Sequence, residues 1–311
     1  MAYSRTFISE KYGPVCIFPL AYAENEVTFG YPETTVYVKV KDAGISGQVA
    51  ELIIRKCIES NKYKRKRIGV KDATPDFSVK YPLFKMKLKE EATEHGSFDF
   101  RHEDGWWIVL YPPGTDFNNE IVQERLFVLF DHVLNTAAST YARERGTQIA
   151  EIIGTTIPKF DASKRLGVSV LGINHARPAK EGENVMSYDE DNDRRMVNEY
   201  ITVSSSLLLY PSEYIDSVLI HELIHNFFFD HGQDFQDTTD YYCEKILRKT
   251  EDEISRKYSG WSTAPFAEKP LYKFKPRPYV PKHIIVNGRR LRRLSEDKPL
   301  EKIYFNFDNT D

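Results

Sequence analysis

The pentad His221-Glu-Leu-Ile-His225 constrains this chain more than any other stretch of it. Histidines four positions apart stand one helical turn apart, so in a helix both imidazoles leave the same face. Such a pair can grip one metal ion. Glu222 lies one residue's rotation away and can reach a water on that metal without ligating it. Ile220, Leu223, Ile224 and Phe227 take the other flank and predict packing into a core. A helix that is apolar on one side and metal-binding on the other has to be buried by the chain around it. Two residues compete for the place of third ligand. His231 stands six positions after His225, with Gly232 behind it, and Glu244 is separated from His225 by eighteen residues on what reads as the next helix. With His231, three neutral imidazoles leave the fourth tetrahedral position for water.

The rest of the chain is able to provide that burial. Its 311 residues are 41% hydrophobic and 29% charged, with 19 Tyr and 19 Phe, which excludes whole-chain disorder. A net charge of −3 excludes a polycation built for nucleic acid. Cys16, Cys57 and Cys243 match neither a zinc knuckle nor a disulfide framework, so a reducing, cytoplasmic setting is expected. The first residues carry no apolar core of signal-peptide length, and no run is long enough to span a membrane.

Three regions are expected. Residues 1–115 read as β-rich, with period-two segments at Thr35–Lys41, Phe77–Tyr81 and Phe84–Lys89 and an apolar strand at Trp106–Tyr111. One helix interrupts them from Gln48 to about Ser60, with Val49, Leu52, Ile53 and Cys57 on its apolar face. The basic run Lys62–Arg67 then reads as a surface loop. Residues 116–258 hold a long helix over 119–152, a strand at Arg165–Leu171, a polar surface insertion at 174–198, a strand at 200–209, and helices over 212–229 and 233–257. Residues 259–311 are rich in Pro and Arg. The stretch 269–293 holds nine Lys or Arg and no acid, and Asn287-Gly288 suits a hairpin turn. No internal repeat is visible.

Around the pentad the residues resemble a known family. Pro211, Ile215, Asp216, Val218, His221-Glu-Leu, His225, His231-Gly and Phe235 stand in the pattern of the YgjP-like metallopeptidase domain. The SprT and WLM zincins share much of it. Upstream, the family places a long helix, a strand bearing Arg-Trp-Gly-Ser-Cys, and a strand ending at the Pro. Here helix 119–152, Arg165-Leu-Gly-Val-Ser169 and strand 200–209 stand in those places, with Leu166 for the Trp and no Cys. The metzincins use the same histidine spacing, but Phe228 occupies their Gly, and the four methionines (1, 86, 186, 196) all precede the pentad, so no Met-turn can follow.

The resemblance implies an α+β fold: a zincin-like metallopeptidase core with a mixed sheet and the pentad on its active-site helix. It implies one Zn²⁺ per chain, held by His221, His225 and His231, with Glu222 as general base in peptide-bond hydrolysis. It also implies that strand 200–209 is the edge strand along which an extended peptide substrate lies. Tyr241, Tyr242 and His283 are candidate donors to the tetrahedral oxyanion. Two other readings stay open: a metal-dependent nucleotide phosphoanhydride hydrolase, and a DNA-associated SprT- or WLM-like protease engaging nucleic acid through 269–293.

Overall fold

The structure, a computed structural model, describes residues 4–258 apart from 21–24, 31–33, 94–95, 156–158, 164–169, 184–186 and 190–193. Beyond 258 it describes 261–262, 266, 272–273, 283–286 and 289–292. Most of the strand expected at Arg165–Leu171, all but Val170 and Leu171, and most of the basic stretch 269–293 therefore lie outside the described residues.

The chain starts with β1 (Arg5–Ser9), β2 (Gly13–Pro19), β3 (Glu26–Phe29) and β4 (Val36–Val40), followed by helix α1 (Gly47–Arg67). It then runs through β5 (Ser78–Lys80), β6 (Lys85–Glu90), β7 (Asp99–Glu103) and β8 (Trp106–Tyr111) to helix α2 (Glu120–Ile153). The two halves of this stretch share one topology. The first sheet has the order β1-β2-β4-β3 and the second β5-β6-β8-β7. In each, the two outer pairs are antiparallel and the central pair is parallel. The central registers match as well: Val15 pairs with Val36 and Met86 with Trp107, twenty-one residues apart in both cases. Where the sequence shows no repeat, the backbone is thus a tandem ββββα repeat. The two copies conserve only alternation of apolar residues, which many sequences satisfy.

The first copy has its own core, where Val15, Ile17, Val36 and Val38 meet Ala50, Ile54 and Ile58 of α1. This corrects the expected helix face. Val49 and Leu52 are 43% and 40% exposed, and the buried stripe is one residue out of step with them. The basic run Lys62–Arg67 is also helical, forming the last turns of α1, where cations suit the helix C-terminus.

Helix α2 is 34 residues long, about 51 Å. Asn119 caps its start by accepting from the Ile121 N–H (2.8 Å), and Gly154, at φ +83°, ends it. One flank packs on β5–β8 through Leu126, Phe127 and Phe130, and the other on the elements that follow. Those are β9 (Phe160–Ser163), β10 (Gly172–Pro178), β11 (Ser187–Asp189) and β12 (Arg194–Ser204), then a 3-10 turn (Ser205–Leu209). The polar stretch 174–198, expected as a surface insertion, instead supplies β10, β11 and the start of β12. Polar residues at half-buried and buried strand positions, such as Asn174, Asp189 and Asn198, hide the period-two signal. Strand β12 is central, not an edge. It pairs antiparallel with β10 and β11 and parallel with β9, which makes the sheet mixed. Among the described residues β10 pairs only with β12 and is an edge of this sheet.

Three helices follow: α3 (Ser212–Ile224), α4 (Gln233–Leu247) and α5 (Glu251–Tyr258). The single helix expected over 233–257 breaks at Arg248, which adopts φ +63°. Short pairs close the described chain: β13 (Trp261–Ser262) with β14 (Tyr272–Lys273), and β15 (His283–Val286) with β16 (Arg289–Arg292). The last pair is the hairpin expected around Asn287-Gly288. The fold is mixed α+β, and among the described residues no helix is long and apolar enough to cross a membrane.

Candidate metal centre

Helix α3 is buried without interruption from Ile215 to Ile224, so it runs through the core and not over it. It is fixed to α2 by Asp216, which is 3% exposed and accepts from Tyr141 Oη (2.9 Å) and Arg145 Nε (2.8 Å). Burial raises the Asp216 pKa in spite of these two donors. His221 and Glu222 lie in the last turn of α3, and His225 caps it.

A helix C-terminus leaves carbonyls without partners. Here the neighbouring sheet supplies them. Asn174 Nδ2 of β10 donates to the Glu222 carbonyl (2.6 Å), and Asn198 Nδ2 of β12 donates to the His225 carbonyl (3.1 Å). Both amides also donate to Asn226 Oδ1, at 3.1 and 2.6 Å, and Asn226 Nδ2 donates to Thr155 Oγ1 (3.0 Å). The β10–β12 ladder shifts by one residue at this point: His175 pairs with Tyr200 and Ala176 with Asn198, leaving Glu199 unpaired. Such a bulge re-aims side chains beside a site.

The chain turns after His225 and delivers His231 just before α4. His221, His225 and His231 each offer a ring nitrogen, and these atoms all lie within 4.8 Å of one another. His221 Nε2 and His231 Nε2 are 3.1 Å apart. The other ring nitrogens of His221 and His225 are occupied. His221 Nδ1 meets Glu251 Oε1 at 2.7 Å, and His225 Nδ1 meets the Phe228 carbonyl at 3.0 Å. Both acceptors require N–H at Nδ1, which leaves the Nε2 lone pairs for a metal. Phe235 of α4, fully buried, lies under all three rings with centroids at 4.8, 4.6 and 4.8 Å.

Electrostatics agree with the geometry. Burial, with His221 and His231 alongside, pushes the His225 pKa down to about 3, so this imidazole is neutral at ordinary pH. Burial would do the same to His221, but the Glu251 carboxylate outweighs it and raises the pKa. Burial raises Glu222 to about 7. The three histidines and Glu222 line a cleft of about 450 Å³, walled by Val170, Leu171, Ile173, Val218 and Phe229. Among the described residues Glu222, Asp230 and Glu251 are its carboxylates, and no lysine or arginine lines it.

Glu244, the rival third ligand, is exposed on α4 and outside the cluster. Of the expected oxyanion donors, Tyr241 and Tyr242 do not line the cleft either. Tyr241 is 59% exposed, and Tyr242 Oη donates to the Ile153 carbonyl (3.2 Å). The side chain of His283 lies outside the described residues. Sequence reasoning missed Glu251, Asn174, Asn198 and Gly172. Glu251-Asp252-Glu253 looks like ordinary acidic first-turn chemistry, and the asparagines sit in a stretch without visible period.

A model of the YgjP-like family's metallopeptidase domain matches residues 197–255, the family the motif resembles. The match points to a metallopeptidase, hence to a hydrolase with a metal. No curated protein and no solved structure matches the chain.

Proposed function

We propose that this protein is a zinc-dependent peptidase with a zincin-like core, in which His221, His225 and His231 hold the metal and Glu222 is the general base. The observation that carries the reading is the convergence of three imidazoles on one point beside a buried carboxylate, in a segment matched by a metallopeptidase family. Three nitrogen donors, two of them with their outer nitrogens hydrogen-bonded, suit Zn²⁺ and leave one position open. Bound there, the metal supplies Lewis acidity, which acidifies water and polarises a carbonyl oxygen.

The side chains do the rest. Glu222, immobilised in the last turn of α3, takes the proton of the attacking water and returns it to the leaving amine nitrogen. The edge strand β10, and not β12, offers the peptide a backbone to pair with, and its residues 172–174 and 176 line the cleft. Phe229, Val218 and Ile173 exclude water from the reacting centre.

The cleft's composition favours a peptide over a nucleotide. A triphosphate needs cations to offset its charge. Among the described residues the cleft instead presents carboxylates and no lysine or arginine.

The test is metal content and hydrolysis on the same preparations. Wild type should carry about one zinc per chain and cleave an unfolded casein-like substrate. Glu222→Gln should keep the zinc and lose at least ~100-fold in rate. Wild-type rates in that variant, or zinc retained in His231→Ala, would sink the assignment.

A further inference from the structure

We propose that Glu251 is the positioning residue of the metal centre: its carboxylate holds His221 with the proton on Nδ1 and Nε2 turned to the metal. This deepens the peptidase reading and rests on it only for the identity of the site.

The argument begins with the ring. An imidazole has two nitrogens, and which one ligates is decided by what the other one touches. His221 Nδ1 lies 2.7 Å from Glu251 Oε1, and its Nε2 lies 3.1 Å from His231 Nε2. The carboxylate can only accept, so it fixes one tautomer and one ring orientation. His225 is oriented by a neutral carbonyl, that of Phe228. Behind His221 stands an anion. An anion makes the imidazole a better donor to a cation, and outer-shell partners of this kind typically account for about 10–100-fold in metal affinity.

The fold holds Glu251 where this requires. It is the first residue of α5, thirty positions beyond His221, so local spacing cannot place it. Its own N–H donates to Asp240 Oδ1 of α4 (2.9 Å). Glu213, in the first turn of α3, binds Lys249 just before α5 (2.5 Å) and accepts from Lys257 and Tyr258 at its far end. Helix α5 is thus tied at both ends to the helices that carry His221 and follow His231. The Glu251 side chain is 22% exposed, lines the cleft and reaches the metal centre through His221.

The experiment measures zinc affinity of the full-length protein by competition with a chromophoric chelator, in wild type, Glu251→Ala, Glu251→Gln and Lys257→Ala. The absorption of the Co²⁺-loaded forms is recorded in parallel. Glu251→Ala should weaken zinc binding about 10–100-fold, with Glu251→Gln intermediate, because the amide oxygen still accepts but carries no charge. Lys257→Ala, which loosens α5 without touching His221, should stay near wild type. The ligand-field bands should keep a tetrahedral pattern in Glu251→Gln, since no ligand is lost. Equal affinity in wild type, Glu251→Gln and Glu251→Ala would overturn the inference, as would an equal loss in Lys257→Ala. Zinc binding weakened as expected, in a protein without peptidase activity, would support the role of Glu251 and remove the proposed function instead. A wild type that binds neither metal would overturn both.

Discussion

An ideal Cβ built on Gly172 would lie 2.5 Å from Glu222 Oε1 and 2.7 Å from its Cγ. No side chain fits there unless the carboxylate moves. The strand thus approaches the proposed general base as closely as a backbone can, and the absence of a side chain is what allows it. Gly172→Ala should fold, since the residue is in a strand and carries no positive φ. It should keep its zinc and lose at least ~10-fold in kcat, because a displaced base costs geometry and not metal. Wild-type kcat in that variant would show that Glu222 tolerates the shift. Phe235 shows the opposite use of a side chain. Its ring fills the space under three imidazoles, so their convergence is enforced by packing before any metal binds.

Among the helices, α3 and α5 are coupled through Glu213. Burial raises the pKa of this carboxylate, but hydrogen bonds from Lys249, Lys257 and Tyr258 outweigh it and hold it at about 2. A depressed folded-state pKa adds stability above the unfolded value near 4.5, and the gain disappears as pH falls toward 2. Glu213→Gln should therefore lower the Tm by a constant amount at pH 6 and above, on the order of 2 kcal/mol in stability. The gap between variant and wild type should close between pH 4.5 and 2. Thermal melts across that range check it, and a gap that persists at pH 2 would assign the effect to something other than ionisation.

The two ββββα copies meet along α1 and α2. Glu124 of α2, 3% exposed, accepts from Arg65 Nη2 (2.7 Å) and Asn61 Nδ2 (2.8 Å) of α1. The Arg65 guanidinium also lies over the Phe127 ring, 4.4 Å from its centroid. Removing the carboxylate leaves Arg65, only 14% exposed, without its partner. Glu124→Ala should therefore cost about 3–5 kcal/mol. The first copy's core is distinct from the larger one and is joined to it through Ile121 and Val128 of α2. Its unfolding should accordingly separate from that of the metal-bearing part, and denaturant melts of the variant should show two transitions where wild type shows one. Zinc binding should survive the first transition. A single transition with unchanged midpoint would mean that the α1–α2 contact carries little of the coupling.

Much of this was legible in the chain itself. The pentad, the resemblance to the matched family and helix α2 could all be read because their determinants are local: a four-residue spacing, a motif within 211–235 and an apolar stripe. The strands β4, β5, β6 and β8 were legible for the same reason. What required tertiary structure depends on residues far apart in sequence. The tandem repeat lies in strand pairings, and strand pairing leaves little trace in residue identity when many apolar residues serve equally well. That His231 and not Glu244 joins the histidine cluster depends on where the loop after α3 delivers a ring. Asn174, Asn198 and Glu251 act on the last turn of α3 from 27 to 48 positions away. A polar side chain in sequence has no sign saying which distant carbonyl or imidazole it will meet, because hydrogen bonds act over about 3 Å of space and not along the chain.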